Sequence, residues 1–245
     1  MIELSIFGIL TGFISGFFGV GGGMVLVPML LYYGFNMKEA VSISIMQMVF
    51  SSIFGSILNT QKNKQILKYG TFLGIGGFLG GLNSGSILEV TDAIFLEYLF
   101  IVIVCFAIYR VAKSSVIDDE NIPEQSILKL LIIGFFIGMI AMSIGVGGAV
   151  MLTPILATYL HYNLKIASAM GLFFVMFSSL AGFISLSFSG QMLYSEGFTV
   201  GIASLVGVYL GIKAKNIVHI KSFKNYILIL YIIILVSMIF KIFTV

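Results

Sequence analysis

Eight apolar stretches separated by short polar breaks set the pattern of this chain: residues 4–34, 40–58, 66–88, 93–112, 127–160, 166–188, 193–212 and 226–243. None alternates as a half-buried strand does, and about 20 apolar residues suffice for a helix to cross a bilayer. The pattern predicts membrane-embedded α-helices. Two stretches, 4–34 and 127–160, are longer than one crossing needs, and each is interrupted in its middle. Gly19-Val20-Gly21-Gly22-Gly23 is followed by Pro28, and Gly145-Val146-Gly147-Gly148 by Pro154. Glycine costs about 1 kcal/mol against alanine in a helix interior, and proline removes a backbone donor. At membrane depth such a break survives only when buried in protein or lining a cavity. The clearest loop, around Asp118, Asp119, Glu120 and Pro123, reads as an exposed linker.

The two interruptions belong to a duplication. Residues 12–30 set on 138–156 give nine identities in nineteen positions, including the whole Gly-Val-Gly-Gly and the proline. After one inserted residue the register holds at a shift of 127. Asn36 meets Asn163, Lys38 meets Lys165, Ser51-Ser52 meets Ser178-Ser179, and Gly70, Gly74 and Gly80 meet Gly197, Gly201 and Gly207. The predicted organisation is a first membrane repeat over residues 1–112, a cytoplasmic linker over 113–126 and a second membrane repeat over 127–245. Internal repeats of this kind mark secondary transporters.

Charge separates two architectures. If all eight stretches cross, seven basic residues lie on one side (Lys62, Lys64, Lys68, Arg110, Lys113, Lys129, Lys241) and six on the other. If the first and fifth are re-entrant, eleven lie on one side and only Lys38 and Lys241 on the other. The second distribution obeys the positive-inside rule, with both termini outside. Each hairpin arm would be roughly 14 residues, about 21 Å of helix. The predicted fold is an all-α polytopic membrane protein of two inverted repeats. Each repeat is a Gly-rich re-entrant or broken helical hairpin plus three transmembrane helices. The alternative is eight simple crossings with parallel repeats.

Composition agrees and excludes other classes. The chain is 59% hydrophobic and 9% charged, against about 25% charged in soluble domains. No cleavable leader is expected, since Met1 lacks a basic region before the first apolar run. The single cysteine, Cys105, excludes an intramolecular disulfide and a paired-thiol relay. No Lys or Arg run points to nucleic acid. No metal-ligand spacing or nucleophile–base pair is legible, so no cofactor and no enzyme activity are expected.

The chemistry is expected at the glycine tips. There, free N–H groups and the positive end of the outgoing helix would bind an anion without a charged side chain. Gly19, Gly21, Gly22 and Gly23 serve one tip, and Gly145, Gly147 and Gly148 the other. Gln47, Ser51 and Ser52 in the second stretch, with Ser178 and Ser179 in the sixth, would add neutral donors. The competing reading makes the glycines packing positions and the serines partners of their own helix carbonyls. Asn36 and Asn163 read as helix N-caps, the first in a capping box with Glu39. Glu97 reads as snorkelling to the outer interface. The glycines of the third and seventh stretches read as packing positions, and they permit a homodimer.

The segments GFFGVGGGMVLVP (16–28) and GMIAMSIGVGGAVMLTP (138–154), with the eight apolar stretches and the total length, resemble the TauE/SafE family of membrane transporters. The resemblance spans essentially the whole chain. It implies a duplicated helical transporter of a bacterial or archaeal cytoplasmic membrane, moving sulfite, organosulfonates or related sulfur compounds. The second copy departs at Ala149, where the first has Gly23. Together these readings predict a secondary transporter for a small anion. An anion channel and a membrane-embedded assembly factor stand as alternatives.

Overall fold

The computed structural model describes residues 1–60, 64–114 and 125–244. Lys62 and residues 115–124 of the expected linker lie outside these. The helices are α1 (Ile2–Phe18), α2 (Gly23–Tyr33), α3 (Met37–Thr60), α4 (Lys64–Gly81), α5 (Ser84–Val90), α6 (Ala93–Lys113), α7 (Ile127–Ser143), α8 (Ala149–Tyr159), α9 (Leu164–Phe188), α10 (Tyr194–Ile217) and α11 (Ile220–Thr244). Among the described residues, six spans are long and apolar enough to cross a membrane: Met37–Asn59, Lys68–Val90, Ala93–Lys113, Leu164–Phe188, Tyr194–Ile217 and Ser222–Lys241. The pairs α1–α2 and α7–α8 are shorter apolar helices. The protein is an all-α polytopic membrane protein.

The short pairs are hairpins. The Tyr33 hydroxyl at the end of α2 donates to the Glu3 carboxylate at the start of α1. One turn on, the rings of Phe7 and Tyr33 meet edge to face at 5.8 Å. Both ends of the first hairpin therefore lie at one end of the bundle, with Lys38. Its arms are 17 and 11 residues, not two arms of equal length. The asymmetry follows from where left-handed glycines stop each helix, Gly19 at φ 71° and Gly34 at φ 108°.

The second hairpin opens at the other end, with Lys165. There the Arg110 guanidinium lies 3.9 Å from the centre of the Tyr159 ring, and Lys224 donates to the carbonyls of Ala112 and Ser114. Helix α10 joins the two ends. The N–H of Leu193 donates to Ser42 near the start of α3 at 2.8 Å, and Val218 accepts from Lys165. Lys38 donates to the Glu89 carbonyl at 3.1 Å.

The repeats interlock. Helix α1 lies parallel to α10, with Gly8, Gly12 and Gly16 against Val200, Ser204 and Val208. Helix α7 lies parallel to α4 in the same way, with Gly134 and Gly138 against Leu73 and Gly77. The faces are reciprocal: Gly207 and Gly211 meet Ile9 and Phe13, while Gly76 and Gly80 meet Leu131 and Phe135. In lipid no hydrophobic force drives helices together, so close backbone approach between small residues must supply the attraction. These glycines of the third and seventh stretches are thus consumed within the chain. Elsewhere α3 packs on α9, α6 on α11, α2 on α11 and α8 on α6.

Two local features differ from the sequence reading. The third stretch is broken at Leu82–Asn83, whereas its repeat mate α10 is continuous. The Asn83 amide bonds back to the carbonyls of Leu79 and Gly80, and Ser185 of α9 bonds the Leu82 carbonyl at 2.7 Å and the Gly85 N–H at 2.9 Å. A side chain that competes for the backbone, with a neighbour to satisfy what is freed, makes the break tolerable. Glu97 does not simply reach the interface. It pairs with Lys241 at 2.7 Å, joining α6 to its repeat mate α11. The caps form as expected. Asn36 and Glu39 exchange reciprocal bonds at 2.8 and 3.0 Å, and Asn163 accepts from the Lys165 N–H at 2.9 Å.

The opposed ends predict the result of surface labelling. With the exposed Cys105 replaced by Ser, Lys38→Cys and Lys165→Cys should react with an impermeant maleimide from opposite faces of the membrane. Reaction from the same face would refute the arrangement. Interlocking predicts that Gly12→Leu, whose Cβ would enter the Ser204 backbone, loses at least about 1–3 kcal/mol of stability. Thermal melting in detergent measures it.

Candidate functional site

The two hairpin tips meet inside the bundle, backbone to backbone. A Cβ on Gly23 would collide with the Gly145 carbonyl, and one on Gly147 would lie 3.0 Å from the Val20 carbonyl. The chain reverses at each tip through glycines in left-handed conformation: Gly19, Gly21 and Gly22 at φ 71–85°, and Gly145, Gly147 and Gly148 at φ 56–83°. L-residues with a Cβ rarely adopt this region. The thioether of Met48 on α3 wedges between the tips. Its sulfur lies 3.3, 3.0 and 2.5 Å from the Cβ positions of Gly21, Gly23 and Gly147.

The backbone donors are unequally used. At the first tip, Gly19 N–H closes α1 by donating to Ser15 at 2.8 Å. Among the described residues, the next five N–H groups, from Val20 to Met24, have no acceptor. All five residues are buried. At the second tip, Gly145 donates to Met142, Val146 to Ala141 and Ala149 to Gly147. More than nine in ten buried backbone groups in folded proteins are paired. These five open donors at the positive end of α2 form a cradle of positive potential.

Gln47 of α3 faces that cradle. It is fully buried, and neither Nε2 nor Oε1 has a partner. These atoms stand 2.7 and 2.8 Å from the Cβ position of Gly22. Leaving a buried polar group unpaired costs roughly 1–3 kcal/mol, a cost that a bound partner at this carboxamide would remove. Its repeat mate is Phe174, whose ring takes the same place against Gly148. The first tip therefore meets an amide and the second a phenyl ring.

The other expected residues divide. The Ser51 hydroxyl lies 3.4 Å from both Ser15 Oγ and the Gly21 carbonyl, against the first tip. Ser52 is fully buried with no partner for its hydroxyl. Ser178 and Ser179 bond carbonyls of their own helix, Phe174 and Val175 for the first and Met176 for the second.

Sequence reading missed three contributors besides Met48. Ser44 donates to the Gly145 carbonyl at 3.0 Å. Thr153 is fully buried with an unpartnered hydroxyl, 3.0 Å from the Cβ position of Gly171, beside the Gly19 carbonyl. Ser168 donates to the Phe18 carbonyl at 2.5 Å, under the first tip. A lone hydroxyl in an apolar helix gives no sequence signal. The Thr153 position holds Val27 in the first repeat, so the duplication did not mark it either.

Among the described residues, no group of three His, Cys, Asp or Glu gathers to hold a metal. The cluster offers neutral donors and no acid. Such a set can hold an oxyanion without the desolvation penalty of burying a counter-charge.

The comparisons with known proteins agree with a transporter. The sequence profile described as "Sulfite exporter TauE/SafE" matches residues 4–238. A probable membrane transporter protein of Methanocaldococcus jannaschii is 31% identical over 191 residues, covering 74% of this chain and 70% of its own. One from Haemophilus influenzae is 26% identical over 208 residues, covering 83% and 82%. The Bacillus subtilis probable membrane transporter protein YunE is 21% identical over 228 residues, covering 82% and 84%. No solved structure matches the chain. With its hairpins, its six membrane-length spans and a profile match over nearly its full length, this multi-pass cell-membrane protein belongs to the sulfite exporter TauE/SafE family of membrane transporters.

Proposed function

We propose that the protein is a secondary transporter for a small oxyanion, sulfite or a related sulfur oxyanion or organosulfonate. The first hairpin tip binds it. The N–H groups of Gly21, Gly22 and Gly23 take its oxygens from one side. The Gln47 amide donates from the other, with the hydroxyls of Ser51 and Ser52 on the same helix. The second tip, through Gly145, Gly147 and Gly148, closes the site from the opposite end. The observation that carries this reading is the fully buried Gln47 carboxamide, unpartnered at both polar atoms and facing five open backbone donors.

Two hairpins opening to opposite ends support alternating access. Each hairpin closes off one end, and movement of one repeat against the other exposes the cargo to one side at a time. At the tip, neutral donors hold the anion loosely enough for release, since no fixed charge there has to be parted from it.

Purified protein in liposomes should carry labelled sulfite, thiosulfate or a sulfonate in preference to chloride. Absence of flux for every anion, from protein that remains monodisperse, would overturn the assignment. Gln47→Leu should lower flux about tenfold or more, the loss of one buried donor to a charged ligand. Gly21→Leu and Gly147→Leu should abolish flux. Wild-type rates in all three would make the tips packing elements only.

A further inference from the structure

Among the described residues, Lys215, near the end of α10, is the one buried lysine. Its residue is 5% exposed. The ammonium donates to Ser168 Oγ at 3.0 Å and lies 5.8 Å from the centre of the Phe223 ring. The charge that acts on it is another cation, Lys165, one turn away from Ser168 on α9. Among the described residues the only ion pair is Glu97–Lys241, at the other end of the bundle. A lysine is almost never buried without a counter-charge, and an unpaired charge inside a membrane protein marks an ion path by default.

A structural reading would make Lys215 a cap. Through Ser168 it reaches the Phe18 carbonyl, at the negative end of α1. The molecule contains its own control for that idea. At the repeat shift of 127, Ser168 and Lys215 correspond to Val41 and Leu88. The geometry corresponds too, since Gly19 sits against Ser168 as Gly145 sits against Val41. Val41 and Leu88 are apolar and fully buried. The same fold therefore closes beneath the second tip with no charge at all. The lysine is an addition to one half, placed under the donor-rich tip.

We infer that Lys215 and Ser168 form a second anion station, beneath the first hairpin tip on the side of Lys165, through which the transported oxyanion passes between the tip and that end of the protein. Lys215 supplies the charge and Ser168 a hydroxyl that can turn from the Phe18 carbonyl to the anion. Phe223 shields the ammonium in the anion's absence, since a cation–π contact is weak enough to yield. Lys165 stands farther toward that end, where its ammonium donates to the Val218 carbonyl. At the matching places beneath the second tip stand Val41 and Leu88, so the two directions of passage are not equivalent.

The inference rests on the reading of the cargo as an anion, and binding separates its failure from the failure of that reading. Thermal stabilisation by sulfite would be titrated on detergent-purified wild type, Gln47→Leu, Lys215→Met and Lys215→Arg. Lys215→Met should weaken the sulfite response about tenfold or more, as loss of a charge-assisted contact does. Its melting temperature without sulfite should not fall below wild type. Lys215→Arg should recover most of the response. No response in wild type would overturn both readings. A wild-type response kept in Lys215→Met would overturn the second station alone, and so would a response lost equally in Lys215→Arg.

If Lys215→Met does not fold, acylation of wild-type Lys215 followed by mass spectrometry replaces it. Sulfite should slow the modification, and no protection would overturn the station. Repeating the titration in nanodiscs with and without anionic lipid distinguishes a free anion from a lipid headgroup. Saturation of the site by anionic lipid would overturn passage of the transported anion.

Discussion

Everything in this molecule depends on getting exposed backbone safely into the middle of a bilayer. A chain reversal at membrane depth leaves N–H and C=O groups that water cannot satisfy. Here the two reversals are pressed against each other, so that each is lined by protein and not lipid. Only glycine permits that contact. The Cβ of any other residue at position 23 would occupy the place of the Gly145 carbonyl. The remainder of the bundle can be read as the frame that holds these two tips in register. Helix α1 is clasped by α10, α7 by α4, and α3 and α9 form the walls between which the tips meet.

The frame is symmetric in its packing and asymmetric in its chemistry. The same small-residue seams recur in both halves, as do the hairpins and the N-caps. At the tips, however, Gln47 stands opposite Phe174, Ser44 opposite Gly171, Val27 opposite Thr153, and Val41 with Leu88 opposite Ser168 with Lys215. Duplication fixed the shape, and the side chains then diverged. A transporter needs both properties. In the proposed mechanism, the symmetry would allow two related conformations, and the asymmetry would make their ligand contacts different.

The fold was largely legible because its signals are physical and strong. Apolar length marked the helices, Gly-Val-Gly-Gly with proline marked the reversals, and the distribution of Lys and Arg separated re-entrant from crossing stretches. The tips and Gln47 were legible for the same reason, since glycine clusters and a carboxamide stand out in apolar sequence. What did not show was anything decided by partners far along the chain. Lys215 reads as a boundary lysine until Ser168 and Phe223 are placed around it. Glu97 reads as an interfacial acid until Lys241 arrives from α11. Ser178 and Ser179 bond carbonyls of their own helix, as Ser51 does to Met48, but Ser51 also reaches Ser15 and the first tip, a difference that only the fold decides.

The parallel seam between α1 and α10 has a consequence for how the protein is made. Gly8, Gly12 and Gly16 leave the ribosome long before Val200, Ser204 and Val208. Chains fold from the N-terminus as they are synthesised. The first hairpin therefore enters the membrane with its glycine face and open tip unpartnered, and waits there until α10 is made. Assembly cannot proceed repeat by repeat. The arrival of α10 closes the seam and that of α11 covers α2 and α6, which makes the late part of the chain the step at which insertion machinery, quality control and premature termination act on the early part.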